Sequence, residues 1–372
     1  METRKLRLLI SIRLPGAFET SGNPVALRRL LEIIKDEFHI HLVTGERGLR
    51  REPVSSIPPG VKTTVIKTKP TTKFLWPIKI IPVIMKRDFD AVLCADDWLG
   101  FFTYYAFSKL YHYKMIFYGV NIFSRYLEMP SHWIRKYHWL MKRLEKFVIS
   151  HSELVLAHAP NFFDFYKRYN ENTVMVPLLV DINTFRRQEV EEVSKTRRKI
   201  GVVGPFNANR RYVLDFICRN VDRFDRHLDF VAIGECENKI ENTRIVYTGY
   251  LSHSEYIKQL SQIDAMLAVE PLDYGPFTKI LEAMSCSRPV FTTPNGIEGL
   301  KGIEPWKDVL VFEENQLVDK VNELVFNRRL MAEIGQNARR FMETLAERNI
   351  AREDFVNRLF HTISSGKQKR HL

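Results

Sequence analysis

The residues of this 372-residue chain whose types and spacing most clearly suit chemistry lie between Pro271 and Leu300, in PLDYGPFTKILEAMSCSRPVFTTPNGIEGL. The segment reads as a strand end, a turn, a helix over about 277–286, a strand over 289–292 and a Gly-containing loop. Gly275 permits a tight turn, and Pro276 at the first helical position lacks the N–H that would go unpaired there. The N–H groups of Phe277, Thr278 and Lys279 would then form a positive helix end suited to a phosphate, with Asp273 and Tyr274 leading into the turn. Glu282 lies one turn beyond Thr278 on the same face. A carboxylate there can accept hydrogens from two ribose hydroxyls. A capped helix with a solvated Glu282 would show the same local pattern.

Other candidates are weaker singly. Gly204 follows an apolar run at 200–203, and Arg210-Arg211 comes soon after; paired guanidinium forks suit phosphate oxygens, or a solvated helix start. In the first half, Gly16 and Ser21-Gly22-Asn23-Pro24 follow the first apolar run, and Asn121 follows Phe117-Tyr118-Gly119-Val120. These could be loop residues facing a ligand, or turn and N-cap residues. None of the 11 His has metal-ligand spacing with carboxylates, and His39 and His41 merely share a strand face. Cys94, Cys218, Cys236 and Cys286 form no C-x-x-C pair. Buried thiols in a reducing compartment, the cytoplasm, are expected, and no metal site.

The elements that must position these residues alternate between strand-like and helix-like runs, the pattern of parallel sheets with crossover helices. Strands are expected at 6–11, 40–44, 61–66, 91–94, 115–118 and 154–157. A second series is expected at 200–203, 228–233, 245–247, 265–269, 290–292 and 309–312. Helical spacing marks 25–38 and 131–150, and Ser252 with Glu255 forms a capping box. The fold class is therefore α/β, with two doubly wound domains. Their boundaries fall at 1–180, a linker at 181–198, 199–350, and a C-terminal helix and basic tail at 351–372 that could return to the first domain. Ligands bind outside the carboxyl ends of strands in such sheets, and two of them facing across a cleft suit a reaction joining two substrates.

The segment Gly275-x-x-x-Lys279-x-x-Glu282-Ala283-Met284, followed by Pro289-Val290 and the loop from Thr293 to Gly299, resembles the signature of retaining glycosyltransferases of family four. These have the GT-B fold of two Rossmann-like domains. The resemblance implies that Glu282 holds the nucleotide ribose and that the backbone after Gly275 holds the diphosphate. It implies further that Gly204 and Arg210-Arg211, with Lys279, clamp the donor phosphates. The stretch VPLLVDINTF, 176–185, resembles the hinge, and Gly16, Gly22 and Asn23 the glycine-rich loop. Asn121 stands where members often carry a His. A family Glu that contacts the donor sugar is replaced here by Tyr274, so the sugar stays open. The implied reaction moves a sugar from a UDP- or GDP-sugar, as substrate, without metal, cofactor or protein nucleophile. A non-catalytic or epimerase-type relative binding a sugar nucleotide is the alternative.

The net charge of +12 is concentrated in one half. Residues 1–180 carry 27 Lys/Arg against 16 Asp/Glu, whereas 181–372 carry 29 against 28. An anionic partner is thus expected on the first domain. The stretch TVIKTKPTTKFLWPIKIIPVIMKR, ending at Arg87, mixes basic residues with Phe74, Leu75 and Trp76, as at the surface of an anionic bilayer. Equally, Trp76 and 80–84 could be core with a solvated lysine rim. A glycan or lipid-linked acceptor and a peripheral position on the inner face of the cell membrane fit the first reading. A nucleic-acid-binding protein is the rival of another class, but no RNA or helix-turn-helix motif supports it.

Overall fold

The computed structural model describes residues 5–12, 22–45, 57–67, 75–86, 89–120, 122, 124, 137–176, 180, 182–186, 196–204, 206, 211–236, 238–270, 278–348 and 352–365. The chain divides into unit 1, Met1–Leu178 with Ile350–Leu372, and unit 2, Leu179–Asn349.

Unit 1 contains β1 (Arg7–Ile12), α1 (Gly22–Ile34), β2 (His39–Gly45), β3 (Lys62–Ile66), the short α2 (Trp76–Lys79) and α3 (Ile81–Ile84), and β4 (Ala91–Ala95). It continues through α4 (Trp98–Tyr111), β5 (Lys114–Gly119), α5 (His138–Ser150), β6 (Leu154–Ala157), α6 (Pro160–Lys167) and β7 (Thr173–Met175). The strands form one parallel sheet, ordered β3-β2-β1-β4-β5-β6-β7. β4 and β6 are buried at every residue, as expected for parallel strands covered on both faces. β7, absent from the sequence reading, is three residues long, too short for a periodic signal.

The order of the unit 1 sheet reverses between β1 and β4. Asp97, fully buried just beyond β4, seals this point. It N-caps α4 by accepting from the Gly100 amide at 2.9 Å, and its Oδ2 accepts from Ser11 Oγ at 2.5 Å and Trp76 Nε1 at 2.8 Å. Trp76 is fully buried with Ile80 and Ile84, which corrects the surface reading of that indole. Its ring fills the core beside α4 while its one donor is satisfied inside. Among the described residues near it, Leu75, Ile78 and Met85 are exposed.

Unit 2 contains β8 (Arg198–Val203), α7 (Tyr212–Asn220), β9 (Leu228–Ile233), β10 (Ile245–Gly249), α8 (His253–Gln262), β11 (Ala265–Ala268), α9 (Thr278–Ser285), β12 (Val290–Thr292) and β13 (Leu310–Val311). Then come α10 (Leu317–Leu324) and α11 (Arg328–Arg348), and α12 (Arg352–Ser364) belongs to unit 1. The unit 2 sheet, again parallel, is ordered β10-β9-β8-β11-β12-β13. A core on one face of this sheet joins Val202, Phe230, Leu267 and Phe291 to the helices through Leu214, Ile217 and Leu317. The capping box of α8 is present, with Ser252 Oγ accepting from the Glu255 amide and Glu255 Oε2 from the Ser252 amide.

Two contacts fix α9. A Cβ on Gly335 of α11 would lie 2.3 Å from the Ser287 carbonyl, so only glycine permits this approach. Four residues on, Arg339 Nη1 donates to the carbonyls of Ser285, Phe185 and Ile182 at 2.7, 2.7 and 2.9 Å. The end of α9 and the segment entering unit 2 therefore hang on one guanidinium.

Candidate active site

In unit 2 the strand order reverses between β8 and β11, so ligands are expected beyond the carboxyl ends of these two strands. Gly204 immediately follows β8, and its amide donates to the Ile233 carbonyl at 2.8 Å. A Cβ on Gly234, whose φ is +119°, would stand 3.5 Å from the Gly204 Cα, so the ends of β8 and β9 meet backbone to backbone. Glu270 lies two residues beyond β11 and is 8% exposed. Its amide donates to Thr293 Oγ1 at 3.2 Å, and its carbonyl accepts from Thr293 Oγ1 at 3.1 Å and Asn295 Nδ2 at 3.2 Å. These bonds tie the ends of β11 and β12 together.

Lys279 and Glu282 are on α9. Lys279 Nζ pairs with Glu270 Oε1 at 2.7 Å, its side chain about a quarter exposed. The pair thus keeps a cation at the edge of the strand ends. Glu282 is 9% exposed, and its Oε2 accepts from the Tyr256 hydroxyl of α8 at 2.7 Å. A buried carboxylate needs such donors to remain charged at modest cost. Once charged it is acceptor-only and suits ligand hydroxyls. Glu282 is therefore not the solvated residue of the bland alternative.

Thr278 opens the described part of α9. Arg211 precedes α7; its Nε donates to Asp215 Oδ1 at 2.7 Å and its Nη1 to the Asn238 carbonyl at 2.5 Å. These partners tie the guanidinium to α7 and to the segment after β9. Gly22 and Asn23 begin α1 after β1. Gly16, Asn121, Arg210 and Asp273, Tyr274, Gly275, Pro276 and Phe277 lie outside the described residues.

Glu270 and Tyr256 were missed by the sequence reading. Glu270 looks like the end of a buried strand, and Tyr256 like an ordinary helical aromatic; only folding brings them to Lys279 and Glu282. In unit 1, a third missed residue is His158, beyond β6. Its Nδ1 lies 3.2 Å from the Tyr118 hydroxyl at the end of β5. Burial, with the Arg29 charge as a second cause, pulls the imidazole down to about 4. A neutral imidazole thus faces a phenol at the carboxyl ends of β5 and β6. A groove of about 940 Å³ in unit 1, lined by Lys114, Glu153, Asn172 and α12, lies at the opposite, amino ends of β5, β6 and β7.

Among the described residues no cluster of His, Cys, Asp and Glu could hold a metal ion, and no helix is long and apolar enough to cross a membrane.

Residues 198–352 match the model of a family described as glycosyl transferase-like. No protein with a curated description matches the sequence significantly. The fold is similar to that of HepE from Anabaena, solved in complex with UDP and glucose, at 14% identity and a TM-score of 0.71 over 97% of this chain and 100% of that one. It is also similar to sucrose-phosphate synthase from Thermosynechococcus elongatus, at 14% identity and a TM-score of 0.75 over 95% and 99%. A third similar structure is the lipopolysaccharide outer core galactosyltransferase WaaB in its apo form, at 15% identity and a TM-score of 0.60 over 95% and 99%. The second half of the chain is thus glycosyl transferase-like in sequence, and the fold of its two Rossmann-like units is GT-B.

Proposed function

We propose that the protein is a GT-B glycosyltransferase that moves a sugar, with retention, from a UDP- or GDP-sugar to a glycan acceptor. The observation that carries this reading is Glu282, a buried carboxylate on the helix that follows the β11 end, held by Tyr256 within the glycosyl transferase-like half. Glu282 accepts from ribose hydroxyls, while Lys279, Thr278, Arg210 and Arg211 bind the diphosphate. The turn from Asp273 to Phe277 and Gly204 bring backbone close to it. Positioning and charge stabilisation of the leaving phosphate supply the rate enhancement, and that phosphate takes the acceptor's proton. In this reading the reaction uses no metal ion and no protein nucleophile. UDP in the HepE complex favours a uridine donor.

Gly16, Gly22, Asn23 and Asn121 line the acceptor side. The acceptor is lipid-linked or otherwise anionic, supported by the basic excess of residues 1–180 and by Leu75, Ile78 and Met85 exposed beside Lys79 and Lys86. Unit 1 would then dock peripherally on the cytoplasmic face of an anionic membrane.

Thermal unfolding with UDP, GDP, ADP and their common sugars tests the donor assignment, since a ligand that binds only the folded state raises its stability. One nucleoside diphosphate should shift the midpoint. No shift with any of them at millimolar concentration would refute the nucleotide site. Flotation of the whole protein with anionic vesicles, lost in high salt, tests the docking.

A further inference from the structure

The bond between Tyr256 and Glu282 has a meaning beyond solvation of a buried charge. We infer that Tyr256 is a positioning residue that makes Glu282 selective for a ribose over a deoxyribose, an inference resting on the proposed ribose contact.

A carboxylate has about four acceptor sites on two oxygens, and its terminal torsion is broad and weakly restrained. A donor on one oxygen, fixed from outside the helix, restrains the plane of the group. The Tyr256 hydroxyl is such a donor, 2.7 Å from Glu282 Oε2. It reaches Glu282 from α8, a different element from the one that carries the carboxylate, and that element is locked at its start by the Ser252–Glu255 capping box.

The phenol ring is itself held. Phe185, 2% exposed, meets Tyr256 edge-on at 6.3 Å between centroids and 80° between planes, and it meets His253, the first residue of α8, at 5.7 Å and 83°. The carbonyl of Phe185 is bonded by Arg339, which also bonds the Ser285 carbonyl at the end of α9. Phenol and carboxylate are therefore fixed to one frame, and their relative position does not depend on a surface side chain. Because the phenol donates, the carboxylate stays an acceptor, and a carboxylate held in one plane rewards a ligand with hydroxyl donors in matching directions. A ligand lacking them forgoes those hydrogen bonds to a buried carboxylate, which is how a polar site disfavours a close analogue.

The test is calorimetric titration of the whole protein with UDP, GDP and ADP, each beside its 2′,3′-dideoxy counterpart, and with inorganic pyrophosphate. For the nucleotide that binds tightest, the wild type should prefer the ribose form by roughly tenfold or more. In Tyr256→Phe the preference should fall to roughly threefold or less, with pyrophosphate affinity unchanged and the thermal midpoint lowered by only a few degrees, as the loss of one buried hydrogen bond entails. A merely structural role would weaken both nucleotide forms together and leave their ratio alone. Phe185→Leu, which loosens the ring but keeps the hydroxyl, should give an intermediate ratio, and it supports the test should Tyr256→Phe fold poorly. Glu282→Gln separates the two levels. If it abolishes the preference while Tyr256→Phe and Phe185→Leu retain it in full, Tyr256 is not the positioning residue. If Glu282→Gln itself keeps the preference, the ribose contact is wrong and the inference goes with it.

Discussion

The two units place carboxylates at the same point of the same architecture, just past the strand where the sheet order reverses, and use them differently. In unit 1, Asp97 is consumed inside the protein, with an indole, a serine hydroxyl and a backbone amide all donating to it from buried positions. In unit 2, Glu270 pairs with Lys279, whose side chain reaches solvent, and Glu282 meets a phenol on a neighbouring helix. One carboxylate is enclosed by the fold; the others pair with side chains of α8 and α9 that are only partly buried. Position in an α/β sheet therefore nominates a residue for function, and its partners decide the matter.

Asp97→Ala should break the comparison from the unit 1 side with the largest effect. It leaves three buried donors without an acceptor, each costing about 1–3 kcal/mol, so a loss of about 4 kcal/mol in the stability of unit 1 is expected. Chemical denaturation would show it, whereas nucleotide binding in unit 2 should survive. Equal damage to both would mean that Asp97 is not a local clasp.

A pH effect should come next, again in unit 1. His158 gains a proton near pH 6.5 in the unfolded chain but only near about 4 in the folded unit. Between those values the unfolded chain binds more protons, so stability is whole above pH 6.5 and declines as pH falls towards 4. The full effect is about 3 kcal/mol. His158→Gln should flatten that part of the stability–pH curve; a parallel curve would place the titration elsewhere.

Glu282→Ala sharpens the comparison from the unit 2 side. Nucleotide affinity should drop by about 1.5–3 kcal/mol, read by calorimetry, in a protein that still unfolds cooperatively. Undiminished affinity would make Glu282 a structural acid like Asp97. The smallest effect is expected at the start of α8, where Ser252→Ala removes the cap and should cost about 1 kcal/mol of unit 2 stability. The helix is otherwise anchored by Ile257 and Leu260, so nucleotide affinity should hardly change.

The sequence by itself determined the class of the fold, the course of most strands, the α8 capping box and the Lys279–Glu282 segment. All of these are local: periodicity, capping and turn chemistry act over a few residues, so they are visible in one dimension. It could not decide whether Trp76 faced a bilayer or a core, because its neighbours mix lysines with apolar residues, and the deciding partner, Asp97, is 21 positions away. Nor could it find Glu270 opposite Lys279, Tyr256 on Glu282, or His158 beside Tyr118. In each pair the residues belong to separate elements, and only the parallel crossover that returns every strand to the same end of the sheet brings their side chains within hydrogen-bonding distance. Burial does the rest: it is a property of the packed chain, and with the Arg29 charge beside it, it makes an ordinary imidazole hold its neutral form down to about 4.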